Sequence, residues 1–195
     1  REIASLQTRV IVPADVRLQA DGAPGSTVIR GAAASDPDDE YGNGSDAVRC
    51  VHLSAGATLA NFTLTEGHTT ANGSGSAVYA AAQSATVADC LVTNNFSYNA
   101  TLYSGYIVRC RVVNNRAINR ASLGENGKYY GCFLDKSYSR IRPLYQPTSI
   151  DFCTLGTGNR VEEGSQMITP ATKTLMRNTV MMYGTIYQAD KVYAT

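Results

Sequence analysis

The densest run of potential metal ligands in this chain is DPDDEYGNGSD (36 to 46), which gathers Asp36, Asp38, Asp39, Glu40 and Asp46. A hard cation such as calcium takes about six to eight oxygen ligands, and a flexible carboxylate-rich loop can supply them. The run lacks the D-x-[DN]-x-[DN]-G spacing of a calcium hand, and its plainer reading is a solvated loop inserted over residues 32–46. The expected cofactor is therefore none, or calcium held by Asp36, Asp38, Asp39 and Glu40. A second concentration is basic and aromatic: seven of the 12 tyrosines fall between residues 98 and 145, among six arginines. Flat rings with a polar edge stack on sugar faces, and arginine pairs with carboxylates or sulfates through two parallel hydrogen bonds. On that chemistry Tyr103, Tyr106, Tyr130, Arg109, Arg111, Arg140 and Arg142 form the candidate carbohydrate-binding set. The competing reading is ordinary strand packing, since aromatic residues favour strands. His52 and Cys50 do not amount to a zinc site, because no CxxC pair completes four ligands. No G-x-S-x-G nucleophile elbow occurs.

The elements that position these residues are repeats. Four of the five cysteines sit in VADCLVTNN (87 to 95), IVRCRVVNN (107 to 115), YYGCFLDKS (129 to 137) and IDFCTLGTG (150 to 158). LANFTLTEG (59 to 67) and MRNTVMMYG (176 to 184) are degenerate copies, with Phe62 and Thr179 in the cysteine place. The central positions 62, 90, 110, 132, 153 and 179 lie 20 to 28 residues apart, the period of a solenoid. That is too short for a strand, crossover helix and strand, but it suits a rung of short strands joined by turns. Apolar residues fall at the centre, two after it and three before it, so a bend must separate the minus-three position from the centre. Polar pairs such as Asn94-Asn95 and Asn114-Asn115 follow as turns tolerant of left-handed backbone. Upstream, AVRCVHL (47 to 53) aligns with AVYAAAQ (77 to 83), which would set Cys50 level with Ala80. Side chains stacked on parallel strands are poorly disposed for the disulfide dihedral, so all five cysteines are expected as buried free thiols.

The segments VRLQADGAPGSTVIRG (16 to 31), DCLVTNN and RCRVVNN resemble the right-handed parallel β-helix superfamily of pectate-lyase-like proteins, over about residues 9 to 187. The resemblance implies an all-β fold, a right-handed parallel β-helix of about six to seven rungs. It does not choose between surface or adhesive proteins and polysaccharide lyases, hydrolases or epimerases. Calcium is the usual cofactor of the lyases, and their arginine base beside carboxylates has no residue-by-residue match here. The family also favours a secreted or cell-surface location.

Stacking the rungs lines up Asn61, Asp89, Arg109, Gly131, Phe152 and Asn178, one position before each centre. Asp89 and Arg109 become neighbours, an expected surface ion pair. Asp89 and Asp151 fall three rungs apart, on the order of 14 Å, beyond the separations of about 5.5 Å and about 6.5–9.5 Å used by retaining and inverting glycosidases. The leading expectation is thus a non-catalytic structural or adhesive module that contacts carbohydrate; a polysaccharide-active enzyme is the alternative. A net charge of +1 gives no basic field for nucleic acid, and no apolar run reaches membrane-spanning length. The 195 residues fit one domain, with 1–8 as an N-terminal cap and 185–195 as a tail or cap. The apolar C-terminal end points to self-association or to a longer parent chain.

Overall fold

The computed structural model describes residues 8–23, 25–35, 41–161, 166–169, 174–182, 185–186 and 192–194. The chain is all-β and winds as a parallel β-helix with four parallel sheets, here called A to D. Among the described residues seven turns each contribute a strand to sheets A, B and C, and an eighth adds strands to A and B alone. The central turn runs Leu102–Tyr103 in A, Tyr106–Val108 in B, Arg111–Val113 in C and Arg116–Ala117 in D. Strands Thr185–Ile186 and Val192–Ala194, in the stretch expected as a tail or cap, extend sheets A and B. No helix among the described residues is long and apolar enough to cross a membrane.

The minus-three and central positions of each repeat lie on different sheets. Leu59, Val87, Ile107, Tyr129 and Ile150 are the inward column of sheet B, in direct register and buried. Phe62, Cys90, Cys110, Cys132 and Cys153 are buried where the chain enters sheet C, followed by Leu64, Val92, Val112, Leu134 and Leu155. The bend between them is a single residue with left-handed backbone: Asn61, Asp89, Arg109, Gly131, Phe152 and Asn178 have φ between 46° and 68°. One such residue turns the chain sharply enough that apolar side chains on both sides of it point inward.

The next corner uses the same device and adds a ladder. Glu66, Asn94, Asn114 and Lys136 take left-handed backbone, φ 50° to 57°. The residues after Asn94, Asn114 and Lys136 turn inward, so Asn95, Asn115 and Ser137 are buried along with Asn159 one rung on. Asn115 Oδ1 accepts from Asn95 N at 3.1 Å, and Asn115 N donates to Ser137 Oγ at 3.3 Å. Ser137 N donates to Asn159 Oδ1 at 3.1 Å. The corner leaves backbone groups with no strand partner, and the amides satisfy them inside the core.

The register of Cys50 differs from the sequence alignment. Val51, His52 and Leu53 pair with Val78, Tyr79 and Ala80, so Leu53 is the residue level with Ala80 and Cys50 lies three residues earlier. A three-residue slip exchanges the faces of the strand. The observed register buries Val51 and Leu53 and sets His52 outside against Tyr79, whereas the aligned one would turn His52 toward the core. All five cysteines are free and buried, as the stacking geometry requires.

Candidate functional site

Of the seven expected carbohydrate-contacting residues, three converge. Tyr106 and Tyr130 stand on the outer face of sheet B, 38% and 39% exposed, and Arg109 lies at the adjoining corner. The other four lie elsewhere. Tyr103 is on sheet A, Arg111 is on the outer face of sheet C over the Phe133 ring at 4.9 Å, and Arg140 lines a recess with Tyr41, Tyr98, Ile118 and Asn119. Arg142 lies just before sheet A strand Leu144–Tyr145. The turns of a solenoid spread residues that are close in sequence over different sides. Asp36, Asp38, Asp39 and Glu40 fall outside the described residues, among which no cluster of three or more His, Cys, Asp or Glu is placed to hold a metal. Asp46 closes the base of that loop by accepting hydrogen bonds from Ser35, which hold its carboxyl below the usual range.

Sheet B supplies the candidate site because its register sets chemically distinct columns side by side. One outer column runs Thr58, Thr86, Tyr106, Lys128 and Ser149, and the next runs Ala60, Ala88, Val108, Tyr130, Asp151 and Arg177. Ala60, Ala88 and Val108 form a small apolar cluster of their own on this face. Beyond it the Tyr130 ring meets Phe152 at 5.4 Å and 59°, an edge-tilted pair. Phe152 is 55% exposed, on a left-handed backbone with φ 52°. Lys128 is exposed between Tyr106 and Ser149 in the column, and a recess of about 360 Å³ is lined by Thr86, Tyr106, Lys128, Ser149 and Asp151 among others.

The two carboxylates of this face are each locked to an arginine one rung away. Arg109 Nε and Nη2 donate to Asp89 Oδ1 and Oδ2, both at 2.7 Å. Arg177 does the same to Asp151 at 2.7 and 3.1 Å. The Arg109 hydrogen bonds hold the Asp89 carboxyl below its usual range. The expected Asp89–Arg109 neighbour relation is therefore met. Asp89, held ionised in this way, is a poor proton donor, and Asp151 stands three rungs away along the sheet.

The aromatic residues of sheet A are arranged differently. His52, Tyr79 and Tyr103 stack nearly parallel at 5.5 and 4.9 Å, with Arg49 over Tyr79 at 4.9 Å. Rings stacked along the axis cover one another's faces, so this ladder is packing rather than a platform. Below it comes Glu125, 8% exposed, in register with Tyr103 and Tyr145. Arg120 lies over the Tyr145 ring at 4.8 Å and is 3.9 Å from the Glu125 carboxylate; Ser74 Oγ is 3.4 Å from it. Burial pushes the Glu125 carboxyl up, partly offset by Arg120 and Ser74. A raised carboxyl stabilises the fold below its unfolded pKa, and that contribution is lost as pH rises through the folded value. Glu125→Gln is accordingly expected to raise stability at neutral pH and to flatten the fall in denaturation midpoint as pH rises above the ordinary glutamate value of about 4.3, measured by chemical denaturation.

Phe152, Lys128 and the Asp151–Arg177 pair were not in the expected set. The sequence did carry one signal: a phenylalanine in a column otherwise filled by Asn, Asp, Arg and Gly. Comparison with protein-family models, curated proteins and solved structures finds no match.

Proposed function

We propose that this chain is a non-catalytic, secreted or cell-surface β-helix module of the pectate-lyase-like kind, which binds carbohydrate on the outer face of sheet B. The supporting observation is Phe152. A bulky residue is costly in left-handed backbone, where Asn or Gly fits readily, and Asn61 and Asn178 occupy the same column. A residue that combines backbone strain with an exposed apolar ring is explained by what the ring contacts. With Tyr106 and Tyr130 it offers faces to successive sugars, while Lys128 and the arginine–aspartate pairs offer hydrogen bonds at the edges. The pairing of Asp89 with Arg109 and of Asp151 with Arg177 supports binding over turnover, the polysaccharide-active enzyme being the other reading.

The test is a titration against neutral and acidic polysaccharides, with and without calcium, following binding and the ultraviolet absorbance of unsaturated products. Wild type is expected to bind at least one glycan without generating product. Phe152→Asn is expected to bind about tenfold more weakly or worse, the equivalent of about 1.4 kcal/mol, while unfolding at the same or a higher temperature. Equal affinity in the variant would remove the platform, product formation would establish the enzyme, and calcium-dependent binding would bring in the acidic loop.

A further inference from the structure

We propose that the file of cysteines inside the solenoid binds soft d10 cations two sulfurs at a time, one between Cys90 and Cys110 and one between Cys132 and Cys153. The four thiols occupy one column on consecutive rungs, each immediately before its strand of sheet C. They share one orientation: each Sγ donates to the carbonyl two residues earlier, at 3.2 Å for Cys90, 3.3 Å for Cys110, 3.5 Å for Cys132 and 3.2 Å for Cys153. The sulfurs therefore form a line along the axis.

The spacing of that line fits a particular coordination chemistry. Neighbouring strands are about 4.8 Å apart. Two metal–thiolate bonds of about 2.3 Å laid end to end span about 4.6 Å. An ion that takes two sulfurs in line fits between adjacent rungs without moving the backbone. Zinc does not, because it requires four converging ligands and the file presents two to any one point. Thiolate selects soft cations, which leaves mercuric, silver and cuprous ions as the class. The surroundings favour the dication. Leu64, Val92, Ile107, Val112, Tyr129 and Leu134 belong to the same buried core, where uncompensated charge is costly. In the step Hg²⁺ + 2 RSH → Hg(SR)₂ + 2 H⁺ both S–H bonds break, two Hg–S bonds form and the product is neutral. A monovalent ion between two thiolates would leave a net negative charge. Cys50 is set apart, with its Sγ against Thr65 O and Asn95 Oδ1.

The test uses mercuric ion on the folded Cys50→Ala chain, equilibrated overnight and read by native mass spectrometry and the dithiolate charge-transfer absorbance. Two bridged ions per chain are expected. Adding Cys90→Ala and Cys153→Ala leaves Cys110 and Cys132 adjacent, and one bridged ion is expected. Adding Cys110→Ala and Cys132→Ala instead leaves Cys90 and Cys153 three rungs apart, and none is expected. The two variants retain the same number of thiols, so equal uptake would overturn the proposal. Failure of the folded parent to take up mercury, or equal retention of zinc, would do the same. Valine versions, which fill the column as Phe62 does, repeat the comparison if an alanine variant does not fold.

Discussion

Replacing Asn115 by alanine is expected to lower the unfolding free energy by about 3–5 kcal/mol, enough to unfold a marginal domain. The side chain is almost wholly buried and uses both ends of its amide. Nδ2 donates to Val92 O at 2.9 Å and Val113 O at 3.0 Å, on successive rungs. Oδ1 accepts from the backbone N of Asn95 at 3.1 Å and from its Nδ2 at 3.0 Å. Alanine removes these bonds together and leaves backbone groups of two rungs buried without partners, each at a cost of about 1–3 kcal/mol. Serine should be tolerated better, because Ser137 occupies the same place one rung on, with Oγ donating to Asp135 O and accepting from Asn115 N. Denaturant midpoints for wild type, Asn115→Ser and Asn115→Ala should fall in that order. An Asn115→Ala chain as stable as wild type would show that the ladder is incidental to the corner.

The ladder also marks the limit of what is legible in the sequence. Period-two alternation around the cysteines is a local signal, and it is enough to assign the inward columns, the free thiols and the Asp89–Arg109 contact. Asn94-Asn95 and Asn114-Asn115 were legible as turns because both members are turn formers. That the first takes the left-handed backbone while the second is buried depends on the rung beneath, which supplies the partners. Cys50 failed for a related reason: its register is set by which face of strand Arg49–Leu53 the core selects, and residue similarity to 77–83 carried no information about that. The aromatic residues show the limit for function. Tyr103 and Tyr106 are three apart in sequence, yet a corner containing Ser104 and Gly105, both at positive φ, sends one to the stacked ladder of sheet A and the other to the exposed face of sheet B.

Gly124→Ala is expected to destabilise the chain by about 2–3 kcal/mol, and removal of one oxygen atom elsewhere should recover much of that loss. Tyr129 is the bulkiest member of the sheet B inner column and is completely buried. Gly124 and Gly127 make room for it. A Cβ on Gly124 would overlap the Tyr129 hydroxyl, and would lie 3.1 Å from Cζ and 3.2 Å from Leu102 O. The hydroxyl itself has no hydrogen-bond partner among the described residues, and burial pushes its pKa far up. Tyr129→Phe alone should therefore raise stability by about 1 kcal/mol, by removing a desolvated donor that gains nothing in return. In the double variant the new methyl meets a ring edge instead of an oxygen, so the combined loss should be smaller than the sum of the single effects by about 1–2 kcal/mol. Chemical denaturation of the four chains completes the cycle. Strict additivity would place the strain of Gly124→Ala against Leu102 rather than Tyr129, and destabilisation by Tyr129→Phe would mean that the hydroxyl is bonded inside the solenoid after all.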